Sequence, residues 1–243
     1  MTKTDKKVNI EKREKREKSQ VKYTRGEEIF NWVSHLAGIV LAIAASVFMI
    51  IKAVRGVQEE KYGASGIVAV SLFSLGLVAV YSISTAYHLT RYGSLARTIM
   101  RRFDHCTITL LIAGSYMPYM LIGMVAYGTN QPSDAIWGII ITAVVLALAV
   151  AVIVLNIVGI QKFRYLTLSF YVIMGWAIVV RIAPLYRAIG PAALFLLVGG
   201  GIAYTVGVLF YKFIKMPFRH GVFHLLVLAG SALMFSSVYF FVL

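Results

Sequence analysis

His220 and His224 stand four residues apart in the last apolar stretch of the chain, a spacing that stacks two imidazoles on one helix face. Such a pair can chelate one metal ion, and imidazole suits zinc. Ser84 and His88, again four apart, close an earlier apolar stretch, and Asp104-His105 opens the next. Glu28, Asn31 and His35 are spaced three and four apart and share one helix face. Gly38 continues that stripe as a place where a neighbouring helix can approach closely. If these stretches cross a membrane, all five histidines, Asp104 and Ser84 fall at one depth. Ionisable groups at that depth are costly and mark functional sites by default.

His88, His220 and His224 are the candidate ligands of one Zn2+. Three protein ligands leave a fourth tetrahedral position for water, the arrangement of catalytic rather than closed structural zinc. Asp104 is then placed as a general base or as an anchor for that water. Ser84, one turn above His88, can donate to the water or to a developing oxyanion. Plainer readings stand beside this one. His220 also suits a helix start at the interface, and Asp104 an acid favoured by a helix N-terminus. Glu28 and Asn31 also suit cap and first-turn positions. His105 points about 100° away from Asp104 and reads as a packing or hydrogen-bonding residue. Cys106 reads as a small buried hydrophobe. The sequence holds no G-x-S-x-G, no H-E-x-x-H and no phosphate-cradling glycine loop.

The elements that position these groups must be membrane helices. Hydrophobic residues make up 59% of the 243-residue chain, too many for a soluble domain to hide. Apolar runs of spanning length read as 29–53, 66–89, 106–127, 135–158, 165–182, 191–211 and 220–243. The expected fold is an all-α bundle of seven transmembrane helices over residues 29–243, preceded by a charged segment, 1–28. No cleavable signal peptide is expected, because the first apolar run follows that segment and is long enough to span. Within it, Glu11 and Glu14 sit four residues before Lys15 and Lys18, pairs that favour a solvated helix lying along the lipid surface.

Of the 24 lysines and arginines, nineteen fall in the N-terminal segment and the even-numbered loops, and five on the opposite side. The positive-inside rule therefore puts the N-terminus in the cytoplasm and, with seven spans, the C-terminus outside. The net charge of +14 is assigned to topology and to anionic lipid headgroups rather than to nucleic acid. Membrane lipids are the expected partners. The sequence leaves the oligomeric state open.

The blocks Glu28-x-x-Asn31-x-x-x-His35-x-x-Gly38, Ser84-x-x-x-His88, Asp104-His105 with Ala113-Gly114-Ser115-Tyr116-Met117-Pro118, and His220-x-x-x-His224 resemble the bacterial haemolysin III proteins. These belong to a superfamily with the progestin and adipoQ receptors and the alkaline ceramidases. Met117 stands where Thr would fit the pattern, and the long charged N-terminus looks peculiar to this chain. The resemblance implies seven helices with the N-terminus inside. It also implies zinc on His88, His220 and His224, with Asp104 and Ser84 nearby. Two functions follow from different classes. One is a zinc-dependent hydrolase, or hydrolase-like lipid sensor, acting on a lipid amide or ester in the inner leaflet. The other is a non-catalytic membrane-homeostasis or signalling protein in which zinc holds helices together. Pore formation fits least, since no run shows a sustained polar face.

Overall fold

A computed structural model describes residues 10–12, 14, 16–18, 20–127 and 131–243. Among them the chain is helical almost throughout and no strand forms. Helix α1 spans Arg25–Gln58, and Thr24 caps it: its hydroxyl accepts from the Glu27 N–H while the Glu27 carboxylate accepts from the Thr24 N–H. That reciprocal box satisfies two donors a helix start leaves open. Helix α2 spans Ser65–Leu89. Helix α3 spans Leu95–Met117, with the Ser94 hydroxyl accepting from the Arg97 N–H, and continues as a π-helix over Pro118–Ala126. The change of pitch begins at Pro118, whose nitrogen has no proton to give the preceding turn.

From Pro132 to Phe213 the helix is almost unbroken. Helix α4, Pro132–Trp176, leaves helical geometry at Gly159, and a 3-10 turn at Ala177–Arg181 leads into α5, Ile182–Phe213. Inside α5, Gly190 has φ +79°, a left-handed conformation that suits glycine, and Pro191 follows it. The apolar runs leave connections at 159–164 and 183–190, the second marked by Pro184 and Gly190-Pro191; the structure has breaks at the single residues Gly159 and Gly190 instead. Helix α6 spans Arg219–Ser237 and ends in a π turn, Val238–Val242.

Five helical stretches among the described residues are long and apolar enough to cross a membrane, and the 82-residue stretch from Pro132 contains both glycine breaks. Their outer faces carry exposed Val40, Leu41, Phe48, Val150 and Phe195, the surface that lipid tails cover. Inside, small residues set the spacing. A Cβ on Gly76 would stand 2.9 Å from the Leu110 carbonyl oxygen, and one on Gly114 2.6 Å from that of Leu72, so α2 and α3 pack backbone to backbone. This close seam brings the end of α2 and the start of α3, with His88 and Asp104, to one end of the bundle.

Candidate metal centre

One ring nitrogen from each of His88, His220 and His224 lies within 4.8 Å of the others. His88 is the penultimate residue of α2. His220 is the second residue of α6, and the chain enters that helix through Phe218 in a left-handed conformation (φ 58°). Glu27 fixes this entry, its carboxylate accepting from the Phe218 N–H at 3.1 Å. The two nearest nitrogens, Nε2 of His88 and Nε2 of His220, are 3.2 Å apart. Ligands 2.0–2.1 Å from a tetrahedral zinc are separated by about 3.3 Å, so this pair already has the span of a zinc edge. His220 Nδ1 is buried without a partner. Three imidazoles with converging nitrogens form the donor set zinc prefers, and the residues fit such an ion.

Around the three rings lies a further set of contacts, to which α1 contributes Glu28, Ser34 and His35. Glu28 Oε2 is 2.7 Å from His88 Nδ1, and the other Glu28 oxygen accepts from Arg97. Arg97 is 1% exposed, donates to the Thr90 carbonyl at 2.8 Å and lies over the Tyr87 ring. His224 Nδ1 is 3.3 Å from Ser34 Oγ. The His35 ring sits 3.9 Å, centre to centre, from that of His224. Tyr23 stacks on His220 at 5.1 Å, nearly parallel, and Tyr211 packs on the same ring. Burial, with the nearby Tyr211 and Tyr87, pushes the Tyr23 hydroxyl well above the ordinary tyrosine range.

The sequence brings Glu28, His35, His88, His220 and His224 together as its spacing suggests. Glu28 lies in the first turn but does not cap; Thr24 does. Asn31 is fully buried, and neither atom of its amide has a hydrogen-bond partner. Asp104 does not sit at a helix start: α3 begins at Leu95, which removes the helix-dipole account of it. Asp104 and Ser84 instead line one cavity of about 950 Å³, together with His35, His220 and His224. Apolar groups of α3, α4, the 3-10 turn and α5 line much of the rest, including Ile108, Ile112, Leu168, Ile178, Leu197 and Val208. His105 stands apart from the trio and faces the Arg101 carbonyl at 3.0 Å, the hydrogen-bonding place expected of it.

Sequence reasoning missed Tyr23, Ser34, Arg97 and Tyr211. Ser34 adjoins His35, but neighbours on a helix point about 100° apart and no motif flags it. The end of the N-terminal segment also differs from a solvated helix on the lipid surface. Residues 10–12, 14 and 16–18 are helical, and the Glu11–Lys15 pair lies partly outside the described residues. Gln20, 8% exposed, donates to Ser94 O and Thr98 Oγ1 and accepts from the Gly93 N–H at 2.8–3.0 Å. Arg16 donates to the Gly93 carbonyl, and Tyr92 donates to that of Glu17. The segment is thus pinned across the α2–α3 loop, and Lys18, Gln20 and Val21 join the lining of the cavity.

Residues 23–235 match the family described as Haemolysin-III related. The chain is 36% identical over 218 residues to Hemolysin-3 of Bacillus cereus, covering 89% of this chain and 92% of that protein. It is 35% identical over 220 residues to the Hemolysin-3 homolog of Bacillus subtilis (strain 168), covering 90% and 96%. The human Monocyte to macrophage differentiation factor is a more distant relative, 24% identical over 173 residues and covering 69% and 68%. With its apolar helices and clustered histidines, the chain belongs to the haemolysin III family and is a multi-pass protein of the cell membrane.

Proposed function

We propose that this protein is a zinc-dependent hydrolase acting on an amide or ester of a membrane lipid at the cytoplasmic leaflet. Its seven spans are α1, α2, α3 with its π extension, the three parts into which Gly159 and Gly190 divide the stretch from Pro132, and α6 with its π turn. Its N-terminal segment lies inside. The observation that carries the reading is the convergence of three imidazoles, two of which, His220 and His224, line a largely apolar cavity whose wall also holds Asp104 and Ser84. Zinc bound there supplies a Lewis acid and lowers the pKa of water. The chain's own groups do the remaining work. His88, His220 and His224 hold the ion, and Asp104 takes the proton from the water that adds to the acyl carbonyl. Asp104 then returns that proton to the leaving nitrogen or oxygen as the C–N or C–O bond breaks. Ser84 donates to the developing oxyanion. The apolar wall along α4 and α5 receives the acyl chain, which shields the reaction from bulk water.

Asp104→Asn separates this reading from a structural one. The amide still offers an oxygen for hydrogen bonding but takes up no proton, so zinc content stays and fatty-acid release is lost. Purified protein in nanodiscs, given short-chain ceramides and other acyl amides and esters, checks this by released fatty acid. Zinc-loaded wild type that releases none across the panel favours the second reading, a membrane-homeostasis protein with structural zinc. The tie from His88 through Glu28 to Arg97, which links α1, α2 and α3, is the observation on that side.

A further inference from the structure

We infer that α1, which carries none of the three candidate ligands, sets which nitrogen of His88 and of His224 is free to bind, with Glu28 as the positioning residue for His88. This rests on the metal reading above. An imidazole ligates through a nitrogen without a proton, so the proton on the other nitrogen has to be held. For His88 it is held by Glu28. A carboxylate paired with a guanidinium only accepts, so Nδ1, 2.7 Å away, carries the proton and Nε2 keeps its lone pair toward His220. Arg97 makes the arrangement stiff. It is buried, donor-only, and anchored to the Thr90 carbonyl as well as to Glu28. For His224 the argument runs through Ser34. That hydroxyl gives its proton to the Asn31 carbonyl at 2.9 Å, which leaves only lone pairs for His224 Nδ1 at 3.3 Å. His224 therefore also presents Nε2. Glu28 and Ser34, on one helix, impose the same tautomer on histidines of two others.

Arg97 makes the test sharp, because an amide in place of the carboxylate has one face that accepts and one that donates. Arg97 can meet only the oxygen, so in Glu28→Gln the NH2 faces His88 Nδ1 and drives the ring to the tautomer with its proton on Nε2. The side chain keeps its size and its bond to Arg97, so the fold holds. Glu28→Gln should weaken zinc binding about 10–100-fold, measured by competition with a chromophoric chelator, the usual cost of losing such a partner. The melting temperature of the metal-free protein should stay near wild type, and the rise on adding zinc should shrink. A purely structural role for Glu28 would move the metal-free value instead. Adding Arg97→Met frees the amide to turn its oxygen to His88 and should recover much of the affinity. Ser34→Ala, which removes one oxygen and no charge, should weaken zinc by about tenfold, the lower end of that range. Wild type that binds zinc while Glu28→Gln binds it equally well overturns the inference and leaves the metal reading standing. Wild type that binds no zinc removes both.

Discussion

Two buried polar clusters lie at opposite ends of the bundle, and they solve the cost of burial differently. At the far end from the histidines, Asp134 is fully buried near the start of α4. It accepts from Arg181, with Arg187 3.6 Å away, and Arg181 also lies over the Trp137 ring. The charges there face one another, and the aromatic ring adds a cation–π contact. At the histidine end the carboxylate of Glu28 is also met by an arginine, the buried Arg97, but the chain of contacts continues into imidazoles. Their nitrogens converge, with two Nε2 atoms 3.2 Å apart and His220 Nδ1 unpartnered. A buried ion pair that closes on itself holds helices together. A pair whose hydrogen bonds end in lone pairs aimed at one point prepares a place for a cation. Burial and charge alone do not separate the two; where the last donor or acceptor points does.

The proposed inside and outside of this comparison give the test with the largest expected effect. With seven spans and the N-terminal segment in the cytoplasm, a reporter active only outside, fused after Leu243, should be active. The same reporter in the α3–α4 connection near Pro132 should be active too, because that connection lies at the Asp134 end. Activity from neither fusion would turn the bundle over and put the histidines on the outer face.

Next in size is the metal itself. Wild type purified without chelators should carry about one zinc per chain by elemental analysis. His224→Ala should carry almost none, because one of three ligands is gone. Zinc should stabilise wild type against heat, by about 4 kcal/mol at a thousand times its dissociation constant, and His224→Ala should show no such gain. Asp134→Ala should do the reverse: full zinc content and a lower melting temperature. Removing one partner of a buried pair costs about 3–5 kcal/mol, and the 26% exposure of Arg181 puts this case at or below the lower bound. Zinc loss in Asp134→Ala with the fold intact would mean that the two ends are coupled, and the contrast between them would fail.

The histidine end was largely legible in the sequence, and the other end was not. His220 and His224 announce themselves by helical spacing, and counting spans brings His88 and Asp104 to the same depth. Asp134 looks like an ordinary residue at a helix start, and its partner Arg181 is 47 residues away with nothing in the spacing to link them. Arg97 was hidden for another reason. Counted among loop cations it fits the positive-inside rule, yet it lies buried in the first turn of α3, against Glu28 from 69 residues earlier. The start of α3 was misplaced for the same reason, since Arg97, Arg101 and Arg102 break the apolar run but not the helix. Gly159 and Gly190 read as loop residues because glycine next to polar or proline residues usually marks one. Here each is a single non-helical residue at which two helices meet across a kink, with no loop between them. The N-terminal segment has the composition of a solvated tail, while its docking rests on a few scattered contacts, from Arg16, the Glu17 carbonyl and the Gln20 amide, that composition does not show.

The smallest expected effect is at His105, and it tests whether geometry rather than the mere number of histidines defines the site. His105 follows Asp104, lines the same cavity and is 3.7 Å from the Asp104 carboxylate. A site built from any nearby imidazole would include it. Its Nδ1, however, faces the Arg101 carbonyl one turn back, and it is not among the three rings whose nitrogens converge. His105→Ala should therefore leave zinc at about one per chain and the affinity within about twofold of wild type. Its melting temperature should fall by only a few degrees, because one hydrogen bond to a backbone carbonyl contributes about 1 kcal/mol. The adjoining helix keeps its hold there through the Tyr171 hydroxyl, which donates to the His105 backbone carbonyl at 2.7 Å whatever the side chain. Metal loss in His105→Ala comparable to that in His224→Ala would show that the ion sits nearer Asp104 than the converging nitrogens indicate, and the ligand set would have to be redrawn around α3.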